Sequence, residues 1–297
     1  MNSVLTLVAD SAAADLSPAL ARRVRDALGQ PAESVAAPDW LAEHIACDIP
    51  FQGDTAAGLE AARAALGDAP VDAFAQPAAG RRKRLLVADM DSTIVASETL
   101  DELAGFAGIK DRIAAITARS MNGEIDFATA LRERVAMIAG LPEEALSRTL
   151  AETRLNPGAR SLVRTMRAHG AFTALVSGGF RWFTRRIAAA AGFDHEEAND
   201  LLLENGRVVG SVAEPILGRE AKLEALRRLA AERRIAPAET LAVGDGANDL
   251  PMLLAAGLGV AYRAKPVVAA SVGCRVDHAD LTALLYFQGY RRSEFVC

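Results

Sequence analysis

The sequence predicts an α/β protein: a doubly wound parallel sheet carrying a helical cap insertion, preceded by a small N-terminal α/β domain. Three observations predict it. Apolar runs at residues 85–88, 172–176, 241–243 and 258–261 alternate with segments of helical periodicity, the pattern of βαβ units. Three of those runs end in polar loops, Asp89-Met90-Asp91, Ser177-Gly178-Gly179 and Gly244-Asp245-Gly246-Ala247-Asn248-Asp249, which crossover geometry sets at one edge of the sheet. After Ile94 the helical pattern persists to about Glu152, far more chain than the dozen or so residues that a crossover needs, so the surplus reads as an inserted bundle over that edge.

Residues 1–80 alternate apolar runs and helical pattern: 4–8, 16–28, 40–49, 58–66 and 71–74. They read as a separate small α/β module, and 81–297 as the main domain. Between them, Gln76-Pro77-Ala78-Ala79-Gly80 is turn-prone, and Arg81-Arg82-Lys83-Arg84 reads as a solvated basic linker with no function of its own. The cap spans about 95–155, with Thr99 and Glu102 placed as a capping box and further helical segments at 110–119, 125–139 and 143–152. Asn156-Pro157-Gly158 reads as N-cap, N1 and N2 of a helix ending at His169-Gly170. The strand at 172–176 then turns into a helix over 180–191. Asn205-Gly206 between two apolar runs signals a hairpin, a flap over about 199–213. A helix near 219–233, the strand at 241–243, a helix from about Leu250 and the strand at 258–261 complete the alternation.

The chain has 297 residues, of which 51% are apolar, enough for a sizeable core. A net charge of −5 and 5% aromatic content argue against a nucleic-acid or anionic-membrane partner. Cys47, Cys274 and Cys297 are odd in number and far apart, which suggests neither a disulfide framework nor a zinc site. No apolar run reaches the ~18 residues of a membrane span, and Met1 to Asp10 lacks a basic leader region, so a cytoplasmic protein is expected.

The three loops converge four carboxylates, Asp89, Asp91, Asp245 and Asp249, with the hydroxyl and backbone N–H groups at Ser177-Gly178-Gly179 and with Lys222. Carboxylates in one crevice repel unless a cation holds them, and an oxygen-ligated Mg²⁺ with positions open to phosphate is the economical choice. Ser177 and the glycines, read at a helix N-terminus, form an anion site, and Lys222 adds a point charge. Asp89 at the strand end is then set to attack phosphorus, and Asp91 to carry the proton. Each residue alone has an ordinary structural reading: Asp89 as a turn residue, Lys222 as a surface residue, Asp249 as favourable at a helix N-terminus. One phosphorylated ligand explains all of them together.

In the cap, helical spacing puts Phe127, Ala130, Leu131, Val135 and Ile138 on one face, with Arg134 near the middle of that stripe and Arg132 and Glu133 pointing away. A guanidinium there either snorkels to the edge or meets an anion, for which a substrate carboxylate is a candidate. Glu98 reads either as a solvated residue near a helix N-terminus or, if it faces the cleft, as a partner for an ammonium group. His44, His169, His195 and His278 have no ligand spacing and are assigned no role.

Asp89-Met90-Asp91-Ser92-Thr93, Ser177-Gly178-Gly179, Lys222 and Gly244 to Asp249 resemble, in order and spacing, the four motifs of the haloacid dehalogenase-like phosphatases. With Glu98, Ser120-Met121-Asn122-Gly123, Phe127, Arg134-Val135 and Val212-Ala213-Glu214-Pro215, the likeness narrows to the phosphoserine phosphatases and covers about residues 85–290. The resemblance implies a Rossmann-like core and Mg²⁺ held by Asp89, the Asp91 carbonyl and Asp245, with Asp249 in support. It implies Asp89 as nucleophile and Asp91 as general acid/base. Ser177, Gly178, Lys222 and Asn248 would hold the phosphate or the substrate near it; Glu98 and Arg134 would bind the amino and carboxylate groups, with Met121 and Phe127 lining the cap. The implied reaction is hydrolysis of O-phospho-L-serine, the last step of serine biosynthesis; the alternative is a related phosphatase or phosphotransferase acting on another small phosphomonoester. The implied partner is this small molecule, with no nucleic acid and no membrane, and a homodimer is compatible. Many relatives carry a ferredoxin-like amino-acid-sensing module at the N-terminus, of which residues 1–80 read as a diverged copy.

Overall fold

The computed structural model describes residues 1–12, 16–29, 35–121, 124–218 and 220–297, and the side chains of all of these except 118, 120 and 121. The chain begins with β1 (Ser3–Ala9), α1 (Pro18–Ala27), β2 (Asp39–Ala42), β3 (Ala46–Phe51), α2 (Thr55–Leu66) and β4 (Val71–Pro77). The four strands form an antiparallel sheet in the order β2-β3-β1-β4. Both helices start at side-chain caps: Ser17 Oγ accepts the Leu20 N–H at 3.1 Å and Asp54 Oδ1 the Ala57 N–H at 2.9 Å. Leu5, Leu7, Ile49, Phe51 and Ala62 form the core of this unit.

The chain continues with β5 (Leu85–Ala88), whose four residues are all fully buried. Leu86 and Ala88 join the apolar cluster on one face of the sheet and Leu85 and Val87 the cluster on the other, the two-residue period of a strand covered on both sides. The cap follows as α3 (Thr99–Phe106), α4 (Lys110–Met121), α5 (Phe127–Met137) and α6 (Glu143–Glu152). Then come α7 (Ala159–Ala168), β6 (Phe172–Phe180), α8 (Arg181–Ala191), β7 (His195–Asn199) and the hairpin of β8 (Leu201–Glu204) and β9 (Arg207–Val212). The chain closes with α9 (Ala221–Glu232), β10 (Thr240–Gly244), α10 (Leu250–Ala255), β11 (Leu258–Tyr262), α11 (Pro266–Ser271), β12 (Cys274–Val276) and α12 (Ala283–Phe287).

Six of these strands form a parallel sheet in the order β12-β11-β10-β5-β6-β7. The order reverses between β5 and β10, and an open α/β sheet presents its ligand crevice at such a switch point. Two edge strands, β7 and β12, extend the alternation read from the sequence. Asn205 and Gly206 both have positive φ, 50° and 72°, the geometry that a two-residue hairpin turn requires. The hairpin is joined to the cap through its backbone: Gly140 N–H donates to the Val208 carbonyl and Val208 N–H to that of Leu141, at 2.8 and 2.9 Å.

Four local expectations are corrected. The basic run is a solvated linker only in part: Arg82 and Arg84 are exposed, whereas Arg81 and Lys83 are drawn in and anchor it. Arg81 pairs with Asp48 and donates to Thr6 Oγ1 and to the carbonyls of Tyr286 and Phe287; Lys83 is buried against the carbonyls of Gly80 and Ala238; Arg82 and Arg84 pair with Glu294 and Glu239. The N-cap of α7 is Gly158, at φ 80°, and the Asn156 side chain instead donates to the carbonyls of Thr93 and Val95 at 2.7 and 3.2 Å. Thr99 is the first residue of α3 and not its cap, because Glu98 occupies the N-cap. Finally, β6 runs through Ser177-Gly178-Gly179 to Phe180, so those residues end a strand instead of opening a helix. There is room for this because the β6–β7 ladder breaks between Val176 and Phe180, which lets the strand bulge.

Candidate active site

The carboxyl ends of β5 and β10 deliver the central carboxylates. Asp89 follows β5, is 6% exposed, and its own N–H donates to the Val243 carbonyl at 3.0 Å, continuing the ladder to β10. Its Oδ1 accepts the Met90 N–H at 2.7 Å and lies 2.7 Å from Lys222 Nζ; among the described residues no hydrogen bond reaches Oδ2. The chain then makes one wide turn over Met90–Ile94, closed by Val95 N–H on the Met90 carbonyl. Ser92 takes φ 55° in this turn, which directs the chain into the cap.

Asp245 and Asp249 come from the loop after β10. Asp249 is fully buried and is the N-cap residue of α10, but its side chain makes no capping bond; its Oδ2 turns back to accept the N–H groups of Asp245 and Gly246 at 3.2 and 2.9 Å. This is why residue 244 is glycine: a Cβ there would lie 2.4 Å from Asp249 Cγ. Lys222, near the start of α9 and 3% exposed, bridges the two loops at 2.7 Å from Asp89 Oδ1 and 2.5 Å from Asp249 Oδ1. Asp245 Oδ1 accepts the Thr93 hydroxyl at 3.1 Å, and Lys265 Nζ stands 4.0 Å from its Oδ2. Asn248 Oδ1 lies over Gly246, where a Cβ would meet it at 2.4 Å.

One oxygen from each of Asp89, Asp245 and Asp249 lies within 4.8 Å of the others. Burial and the neighbouring Asp249 push the Asp89 carboxyl well above the usual carboxylate range, against the pull of Lys222. The same two causes raise Asp245 to about 6. Burial disfavours the charge on Lys222, but Asp249 and Asp89 more than offset it and hold the amine above its ordinary value. Three buried, mutually repelling hard-oxygen donors with one resident ammonium fit a hard divalent cation, and Asp89, Asp245 and Asp249 are the side chains that would hold it.

Asp91 stands apart from that cluster. Its Oδ1 accepts the Thr99 N–H at 2.9 Å, so the carboxylate serves the N-terminus of the first cap helix. Burial, then the charge of Glu98, raises its pKa to about 7. Ser177 is buried, and its Oγ accepts the Gly179 N–H at 2.9 Å.

Along α5 the side chains sort between buried and exposed as the helical spacing suggests. Ala130, Leu131, Val135 and Ile138 are buried, and Phe127 and Arg134 are half-buried. Arg132 and Glu133 point away, to Glu214 and Arg119. Phe127 rests on Gly178, where a Cβ would sit 2.9 Å from its Cζ. Arg134 Nε donates to the Ala130 carbonyl, and among the described residues its guanidinium forms no ion pair. Burial disfavours its charge, while Asp101, Glu98 and Asp91 favour it. Glu98 is exposed and accepts the Ser92 hydroxyl at 2.7 Å. The Met121 side chain lies outside the described residues.

Sequence reasoning missed Thr93, Asp101, Asn156, Asn199 and Lys265, all of which touch or face the site. Lys265 had a usable signal, because it follows a fourth strand, β11, whose end lies beside that of β10. Asp101 lies in the first turn of α3, where its charge acts on Arg134 as that of Glu98 does.

The fold and the site together define a Rossmann-like hydrolase core with an inserted cap. Residues 86–254 match the haloacid dehalogenase-like hydrolase family, and the chain belongs to it. Over 214 residues it is 44% identical to the phosphoserine phosphatase of Streptomyces coelicolor, covering 72% of this chain and 52% of that relative, so the match spans about half of the relative's length. It is 42% identical over 205 residues to the phosphoserine phosphatase of Lactococcus lactis, covering 69% of this chain and 95% of that one. A crystal structure of a haloacid dehalogenase family hydrolase from Salmonella enterica serovar Typhi has a TM-score of 0.84 at 28% identity, covering 96% of this chain and 97% of that one.

Proposed function

We propose that this protein is a Mg²⁺-dependent phosphomonoesterase that hydrolyses O-phospho-L-serine to serine and phosphate. The observation that carries the reading is the meeting of Asp89, Lys222, Asp245 and Asp249 beneath a cap whose half-buried Arg134 lacks an ion-pair partner among the described residues. Asp89 attacks phosphorus; the P–O bond to the serine oxygen breaks, and the phosphoryl group rests on the Asp89 carboxylate. Asp91 gives its proton to the departing alkoxide, then takes one from the water that attacks the phosphoryl-Asp89 and returns the carboxylate. A pKa of about 7 suits both transfers near neutral pH. Asp89, Asp245 and the Asp91 carbonyl, with Asp249 in support, would hold Mg²⁺, which would supply positive charge against the transferring group. Lys222, Ser177, Gly178 and Asn248 bind the phosphate or the ester beside it. Arg134 takes the substrate carboxylate and Glu98 the ammonium, with Phe127, and by the family likeness Met121, as the apolar wall.

Residues 1–80, whose β-α-β-β-α-β order is that of a ferredoxin-like unit, form a separate N-terminal domain in this reading. The cap over 95–155 and the hairpin over 199–213 act together as the lid of the main domain. The protein works in the cytoplasm on a small molecule. Phosphate release from a panel of phosphomonoesters tests the assignment: phosphoserine should be turned over best, and poor turnover of phosphoserine beside a better ester would replace it with another substrate.

A further inference from the structure

Asn199 ends β7, is 2% exposed, and has no part in the chemistry proposed above. Its Nδ2 donates to the Gly178 carbonyl at 2.9 Å and to the Leu217 carbonyl at 3.3 Å, and its Oδ1 accepts the Leu217 N–H at 2.7 Å. Two carbonyls face the nitrogen and one N–H faces the oxygen, so the partners fix which way the amide points.

The Gly178–Gly179 peptide needs such a clamp. It lies where the β6–β7 ladder is broken, between Val176 and Phe180, so β7 does not hold it by ladder bonds. Glycine on both sides leaves its plane freer to turn than any other pair of residues would. In a trans peptide the C=O and the following N–H point in opposite directions, so holding the Gly178 carbonyl outward on Asn199 aims the Gly179 N–H the other way. That other way is the crevice: the N–H meets Ser177 Oγ at 2.9 Å, and a Cβ on Gly179 would stand 3.1 Å from Asp91 Oδ2.

We propose that Asn199 is a positioning residue for phosphate binding: it fixes the Gly178–Gly179 peptide so that its N–H holds Ser177 Oγ with the hydroxyl facing the phosphoryl oxygens. The same side chain ties this peptide to Leu217, in the segment that follows the hairpin. The inference rests on the phosphatase reading of the site.

The test measures inhibition by inorganic phosphate, with Mg²⁺ present, for the unsubstituted protein, Asn199→Ala and Asn199→Asp. Aspartate keeps the size and the acceptor for the Leu217 N–H but sets an oxygen against the Gly178 carbonyl; it carries the test if the alanine variant does not fold. The inhibition constant should rise roughly tenfold to hundredfold in either variant, the scale of one or two lost hydrogen bonds at a charged ligand. The Mg²⁺ concentration that half-saturates thermal stabilisation should change by less than about twofold, because the carboxylates sit on other loops. A phosphate constant unchanged in the variants, or one that weakens only in step with Mg²⁺ as general loosening would do, overturns the assignment while leaving the phosphatase reading in place. An unsubstituted protein that binds no phosphate overturns both.

Discussion

Asp91 Oδ1 accepts the N–H of Thr99, the first residue of the first cap helix, at 2.9 Å. The carboxylate proposed to carry the proton therefore also caps the element that leads into the lid, and this bond favours its charged form. Thr99→Pro removes this N–H together with the threonine hydroxyl, both of which favour the charged form of Asp91. Proline is tolerated as the first residue of a helix, and Glu98 before it is already extended at φ −89° and ψ 108°. The helix should survive, by circular dichroism, while the acid limb of the kcat profile moves to higher pH by up to about one unit. An unmoved limb would remove Asp91 from the titration that governs turnover.

Gly178 carries no side chain because Phe127 lies on it. Gly178→Ala should wedge the ring away and loosen the lid, with a cost of about 1–3 kcal/mol read as a higher KM. Phe127→Leu in the same chain should recover part of the loss, since the clash needs both partners. Additive effects in that double-mutant cycle would mean that the ring and residue 178 act separately.

How much of this was legible in the sequence depended on where the determinants lie. β5, β10 and β11 were readable because strands buried on both faces are continuous apolar runs. The edge strand β7 was not, because His195-Glu196-Glu197 is polar and half-buried. Arg134 stood out because one charge among Ala130, Leu131, Val135 and Ile138 violates a local period. Asn156 and Asn199 break no local pattern, and their partners come from distant chain segments. Arg81 looked solvated for the same reason: Asp48 and the carbonyls of 286 and 287 reach it only in the folded chain.

Arg134→Ala should raise KM for phosphoserine roughly tenfold to hundredfold, the value of a hydrogen bond between charged groups. For a phosphate ester without a carboxylate it should change KM far less. Equal effects on the two substrates would assign Arg134 to the fold or to phosphate binding.

The buried carboxylates also set a pH dependence in metal-free protein. Asp245 has its folded pKa at about 6, above the ordinary carboxylate value of 3.8. Its contribution is fully present below the ordinary value and is lost as pH rises through about 6, a loss of about 3 kcal/mol at most. The melting temperature of chelator-treated protein should therefore fall between pH 5 and pH 8, and added Mg²⁺ should raise it more at pH 8. Equal stabilisation at both pH values would argue against a cation held by these carboxylates.

Asp89 is proposed to supply the oxygen that attacks phosphorus. A crystal of the protein grown with Mg²⁺ and soaked with a trigonal or tetrahedral phosphate mimic tests it most directly. A carboxylate oxygen of Asp89 should face the phosphorus analogue in line, with the mimic's oxygens on Lys222, Ser177 and the Gly178–Gly179 peptide. A mimic seated in the crevice with a water molecule or another side chain facing it, and Asp89 turned away, would contradict it.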